Sequence, residues 1–438
     1  MNVRTSLAVA ATAALAVGCS SSSSEDEGTV IPATGQEYLV LAWNDLGMHC
    51  LNPTYDQAVI LPPYNTVWAQ VVRRGDPPEI VTAGLTVEYR IVGNTYSYGK
   101  RQYGQFWGYS EVLFGAAPAP DMGLNLVDPG ISNGLAGTMV VAGDHFQVDG
   151  IPLVPVDDAG TWNPFQVAEV TVKDGGGRIL AQTRATTPTS DEIDCARCHG
   201  APGEDTFARI LAKHDAEEGT TLAAGAPVLC ASCHASPALG GRDRIGGLAY
   251  LSEAIHGFHG AVDPAERPGC YDCHPGEQTR CSRSLAHTSD DGNCTACHGS
   301  LSQVGTTITA GRTPWVEEPA CASCHAGVPE VDTGAILYRN ALGHGGVRCA
   351  GCHGSPHAMV PSRMASDQGQ MIQYQGAALA LGSCRVCHGN SRGGGSSVEF
   401  QEEHGGANPE VASACAVCHT AVSGSATGWP HRFGWKTR

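Results

Sequence analysis

Between residues 36 and 190 apolar and polar positions alternate with a period near two, in runs broken by turn residues. "EYLVLAW", "NTVWAQVV", "LTVEYRIV", "GTMVVAG" and "HFQVDGIPLVPV" each predict a strand, because that period lays one apolar face on a core. "VAEVTVKDGGGRILAQTRA" sets two alternating runs around a Gly-rich turn and predicts a hairpin. Short strands at this spacing predict an all-β sandwich of immunoglobulin-like type over 36–190. From Asp194 onward the pattern fades into Gly-, Ser- and Pro-rich connections, predicting a loop-rich region over 191–438 with short helices and little regular structure.

Composition sharpens the division. Sixteen of the 27 aromatic residues lie in 36–190, which contains one cysteine, Cys50. The second region is so poor in large side chains that it could hardly bury enough apolar surface to fold alone. Something else must supply its core. Nineteen cysteines in the chain suit an oxidising compartment or a cofactor, not free thiols in a reducing cytosol.

Those cysteines recur as Cys-x-x-Cys, and a histidine follows every pair at once. In chain order, motifs I to VIII are Cys195, Cys198 and His199; Cys230, Cys233 and His234; Cys270, Cys273 and His274; Cys294, Cys297 and His298; Cys321, Cys324 and His325; Cys349, Cys352 and His353; Cys384, Cys387 and His388; Cys415, Cys418 and His419. Intervals of 24 to 40 residues exclude a solenoid of fixed repeat. Structural zinc sites also use Cys-x-x-Cys, but nothing in them requires a histidine directly after the second cysteine. A disulfide framework would not explain the histidines either. Cys-x-x-Cys-His is the attachment signature of c-type haem: two thiols form thioethers to the porphyrin, and the adjacent imidazole becomes the proximal ligand. Eight covalently attached haems are expected.

Ten histidines remain. His49 and His145 lie in the β region, whereas His214, His256, His259, His287, His344, His357, His404 and His431 lie among the motifs. Eight spare histidines for eight irons point to bis-histidine ligation, without saying which serves which. Met359, Met364 and Met371 are weaker distal candidates.

The motif region resembles bacterial multihaem c-type cytochromes, with "CAGCHGSPHA", "CYDCHPGEQTRCSRSLAH" and "AIHGFHG" as recurrent pieces. The β region, with "WNDLGMHC", resembles the accessory domain of some exported members. By that likeness each motif inherits the haem-binding role. The opening "MNVRTSLAVAATAALAVGC" reads as a secretory signal over 1–18, too short in its apolar run to span a bilayer. Its end resembles a bacterial lipobox, with Ala16 where Leu is usual, implying lipidation of Cys19 and a polar tether over 19–35. Ser20 is not the Asp that often retains lipoproteins at the inner membrane, so the resemblance favours the outer membrane, on either face.

A net charge of -17 argues against a nucleic-acid partner. Redox-partner cytochromes or external electron acceptors are expected instead, along with the membrane through the lipid. An electron carrier is one reading. An octahaem enzyme acting on nitrite, hydroxylamine or tetrathionate is another, and it needs an iron with an open position. Some related enzymes carry Lys in place of a motif histidine, and no Cys-x-x-Cys-Lys occurs here. A head-to-tail filament is a third, which a lipid anchor disfavours. Cys50 and Cys281, left over from the motifs, either pair across the two regions or stay as unrelated thiols. Cys19→Ala should move the protein from membrane to soluble fractions; unchanged membrane association would refute the anchor.

Overall fold

The computed structural model describes residues 36–75, 77–276, 278–285, 287, 294–319, 321 and 336–388. Cys19, Cys324, His325, His404, Cys415, Cys418, His419 and His431 lie outside the described residues, and for His344 and Cys384 only the backbone is described.

The expected strands form, and they divide between two sheets. The principal strands are β1 (Tyr38–Trp43), β2 (Asn65–Arg73), β3 (Leu85–Ile91), β4 (Ala136–Thr138), β5 (Val140–Ala142), β6 (His145–Ile151), β7 (Val167–Asp174) and β8 (Ile179–Thr186). One sheet has the order β1-β2-β6-β5 with Glu79–Ile80 added beside β2, and the other runs β8-β7-β3-β4. Val40, Ala42, Val67, Val71, Phe146 and Val148 of the first sheet meet Val87, Tyr89, Val170 and Val172 of the second in one core. The β7–β8 hairpin closes on Asp174, whose Oδ1 accepts from the amides of Gly176 (2.9 Å) and Arg178 (3.0 Å). "GTMVVAG" departs from expectation by splitting into β4 and β5, which belong to different sheets. Buried Met139 marks the crossing, as where strands turn the corner of a sandwich.

A helix, α1 (Gln105–Phe114), interrupts the β region and was not foreseen. Phe106 and Leu113 pack on Tyr55, Val59 and Leu124. The signal was present: Phe106, Tyr109 and Leu113 recur at i, i+3 and i+7, and Gly115 ends the helix at φ 70°. The motif region follows as short helices: α2 (Thr206–Glu218), α3 (Leu251–Gly260), α4 (Leu301–Thr309) and α5 (Gly369–Gln375).

The two regions do not stand apart. β1 is buried on both faces. Val40 and Ala42 point into the sandwich, while Leu39, Leu41 and Trp43 pack with Tyr338, Ala350 and Val386 of the motif region. β1 is also a sheet edge, whose unpaired backbone groups invite association. Here α5 covers them: Gln370 Oε1 accepts from the Ala42 amide (2.7 Å), and Tyr374 Oη donates to the Val40 carbonyl (2.6 Å). The motif region thus borrows the outer face of a sheet as part of its core.

Arg283 clamps three segments. Buried in full, it donates twice to Asp367 (2.9 and 3.1 Å) and once to the Gly47 carbonyl (2.9 Å). Arg283→Met would strand the buried Asp367 carboxylate and should cost about 3–5 kcal/mol in chemical denaturation of the holoprotein. The double variant Arg283→Met/Asp367→Leu should recover most of that loss. A single-variant loss under about 1 kcal/mol would show that the pair does not hold these segments.

Candidate functional site

Each described motif folds as a single helical turn. The amide of His199 donates to the Cys195 carbonyl (2.9 Å), His234 to Cys230 (3.0 Å) and His274 to Cys270 (2.9 Å). Motif IV is the helix Cys294–His298 and motif VI the helix Cys349–His353. In such a turn residues i, i+3 and i+4 share one face, so both thiols and the imidazole address the same volume. That is the physical reason for the spacing.

Four motif histidines each face a spare histidine. Ring centroids are 6.2 Å apart for His199–His259, 6.3 Å for His234–His214, 6.0 Å for His274–His256 and 6.2 Å for His298–His357. Metal–imidazole bonds of about 2.0 Å, plus about 1.2 Å from nitrogen to ring centroid, would put two trans imidazoles about 6.4 Å apart. The observed separations match that figure. The residues therefore fit an iron held between two histidines. Among the described residues no three of His, Cys, Asp and Glu converge as a zinc site would need.

Hydrogen bonds orient the rings. Nδ1 of His256 donates to the Ser252 carbonyl (2.6 Å), that of His259 to Ile255 (2.8 Å), that of His234 to Ala249 (3.1 Å) and that of His357 to Leu46 (3.2 Å). A carbonyl can only accept, so Nδ1 carries the proton and Nε2 keeps its lone pair for a metal. His214 reaches the same tautomer through a relay: Thr220 Oγ1 donates to Asp215 (2.6 Å) and so accepts from His214 Nδ1 (3.0 Å). Loss of hydration among the surrounding protein atoms, followed by neighbouring imidazoles, pushes His274 and His357 down to about 4, although both side chains still reach solvent.

His256 and His259 stand one turn apart on α3, yet they face different motifs, III and I. α3 lies close against α4, because a Cβ on Gly305 would sit 2.9 Å from the Gly257 Cα. α4 directly follows motif IV, so this contact brings motifs I, III and IV together.

The β region contributes to the site in a way the sequence did not disclose. In "WNDLGMHC", Asn44 Oδ1 accepts from the amides of Leu46 (3.3 Å) and Gly47 (2.7 Å), folding a tight turn. Gly47 has φ 77°, and a Cβ there would fall 1.6 Å from the Pro356 carbonyl oxygen. Only glycine permits this approach. The turn thereby sets the Leu46 carbonyl against His357, the partner of motif IV. The one available signal was an Asn-x-x-Gly turn beside a histidine and a cysteine, which is common in loops.

His287 is exposed beside Ser284 Oγ (3.4 Å), and Met371 is a buried core residue. His49 bonds Asp45 (3.0 Å) and His145 bonds Asp144 (3.0 Å). Burial, followed by the charge of Cys281, raises the Cys50 thiol; the two are neighbours but are not joined.

Residues 304–354 match the family model described as cytochrome c554 and c-prime. The match runs from α4 through motifs V and VI. No curated protein matches the chain. The match supports a c-type cytochrome with covalently bound haem, in electron transfer.

The imidazole planes sort the pairs: 87° and 73° for motifs I and II, 20° and 29° for III and IV. Near-perpendicular axial planes give strongly anisotropic low-spin ferric signals, and near-parallel planes give ordinary rhombic ones. Electron paramagnetic resonance of the oxidised protein should show both kinds, and His259→Ala should add one high-spin signal. No high-spin signal in that variant would remove His259 from the ligands.

Proposed function

We propose that this chain is an exported multihaem c-type cytochrome that carries electrons through eight covalently attached haems, each ligated by two histidines. The four imidazole pairs, each spaced for one metal ion between them, are the observation that carries this reading. The remaining motifs are assigned by the same chemistry: two thiols for attachment and one imidazole for the iron. Bound haem supplies the one-electron couple of its iron. The chain's own residues do the rest. Thiols would attach the haem, paired imidazoles would hold its iron, and the hydrogen bonds from Nδ1 fix ring orientation and basicity.

In this reading residues 36–190 are an immunoglobulin-like accessory domain, and 191–438 are the octahaem domain. The lipid on Cys19 holds the protein at the cell envelope, and the residue after the anchor favours the outer membrane. Its partners are other cytochromes or external electron acceptors. A second histidine facing each of four motif histidines favours a carrier over an octahaem enzyme with an open iron.

Intact mass after acid-acetone extraction, which strips non-covalent haem, should equal the mature chain plus eight haems. Carbon monoxide should barely perturb the reduced spectrum, because no axial position is vacant. Fewer haems would overturn the count. A stoichiometric wild-type haem that binds carbon monoxide or nitrite would promote the enzyme reading.

A further inference from the structure

We infer that the described haem-attachment motifs are ordered in space as II–I–III–IV–VI–VII, so that among them motif II stands at one end and motif I sits between II and III. This rests on the multihaem reading above and goes beyond it, because the spatial order differs from the order along the chain.

Each neighbour relation has its own contact. For motifs II and I, Cys230 and Cys195 pack on the same small cluster around Phe207 and Leu211. For I and III, the residues inside the two Cys-x-x-Cys loops are joined: Arg197 Nη1 lies 2.6 Å from Asp272 Oδ1. Independently, their facing histidines, His259 and His256, share α3 at a spacing of three residues. Side chains three apart on a helix are neighbours, with Cβ atoms about 5–6 Å apart. For III and IV, α3, whose His256 faces motif III, packs with Gly257 against Gly305 of α4, which directly follows motif IV. For IV and VI, His357 faces His298 but belongs to the turn that follows motif VI, where the Val360 amide donates to the His353 carbonyl (2.8 Å). For VI and VII, the Leu381 amide donates to the Cys352 carbonyl (2.9 Å), and Cys349 and Cys387 border one cluster.

The topology explains the inversion. After motif I the chain runs outward along α2, which carries His214, and then returns through motif II to meet that histidine. The excursion is therefore a hairpin that closes on itself, leaving motif I free on its other side to meet motif III. The Arg197–Asp272 pair is a positioning contact at that junction. A partly exposed pair contributes little to stability, so it serves mainly to register one attachment loop against another. In an array that followed the sequence, motif II would stand between I and III and keep positions 197 and 272 apart.

Zero-length cross-linking tests this on the full holoprotein. A carbodiimide joins an amine to a carboxylate only in contact, with loss of one water. In the Arg197→Lys variant, peptides carrying positions 197 and 272 should be recovered as one linked species. The reversed pair, Arg197→Glu with Asp272→Lys, should link as well and covers the case in which the single variant folds poorly. Lys100 and Asp158, 2.7 Å apart in the β region, provide the internal control. A Lys100–Asp158 link without any 197–272 link in either variant would overturn the order. Haem content, measured separately by mass, reports on the multihaem reading alone. A full complement of haems with no 197–272 link rejects the order only, whereas a 197–272 link in a protein with too few haems rejects the count only.

Discussion

The facing of two imidazoles, one from a Cys-x-x-Cys-His turn and one from elsewhere in the chain, is the constraint around which the motif region is built. It occurs four times among the described residues, with centroid separations from 6.0 to 6.3 Å. Each facing ring is tied at Nδ1 to a carbonyl or a hydroxyl of its own surroundings. The separation is therefore a property of the backbone around it. Short helices, glycine contacts and tight turns are what the chain uses to maintain it.

This explains why the region tolerates so little regular structure. A Cys-x-x-Cys-His turn needs only one helical turn, and its apolar burial is to be completed by porphyrin rather than by leucine and phenylalanine. Where side chains do pack, they do so sparsely, around Phe207 and Leu211 or around Ile308. The largest apolar support is borrowed. Leu39, Leu41 and Trp43 present the outer face of the first sheet to Tyr338, Ala350 and Val386, and α5 closes the sheet edge. The β region is thus a structural wall of the motif region as well as a domain with its own core. Through Leu46 it also reaches the histidine that faces His298.

Two kinds of contact hold the parts in register. Arg283 and Asp367 form a buried pair, costly to break because either partner alone would be an uncompensated charge. Gly47 against Pro356, and Gly305 against Gly257, are close backbone approaches that any side chain would obstruct. Both kinds specify position rather than supply bulk stability. That is suitable where the distance between two rings matters more than the depth of a core.

The sequence by itself determined the chemistry. Cys-x-x-Cys-His is a local pattern whose spacing and ligand types are complete within five residues, so haem attachment was legible without a fold. The strands of 36–190 were legible for a similar reason, since alternation is local and β1, β2, β3, β7 and β8 fall on the expected runs. α1 was missed because a few apolar residues at helical spacing are easily lost among strands. What only the tertiary structure decided was pairing. The count of spare histidines could not assign His259 to motif I, His214 to motif II, His256 to motif III or His357 to motif IV, because each pair is formed by separate turns of chain brought face to face. Nor could it reveal that "WNDLGMHC" supports a histidine more than 300 residues away. Residue type is written in side chains, but which histidines face each other depends on where the backbone brings them, and that is settled only when the chain packs.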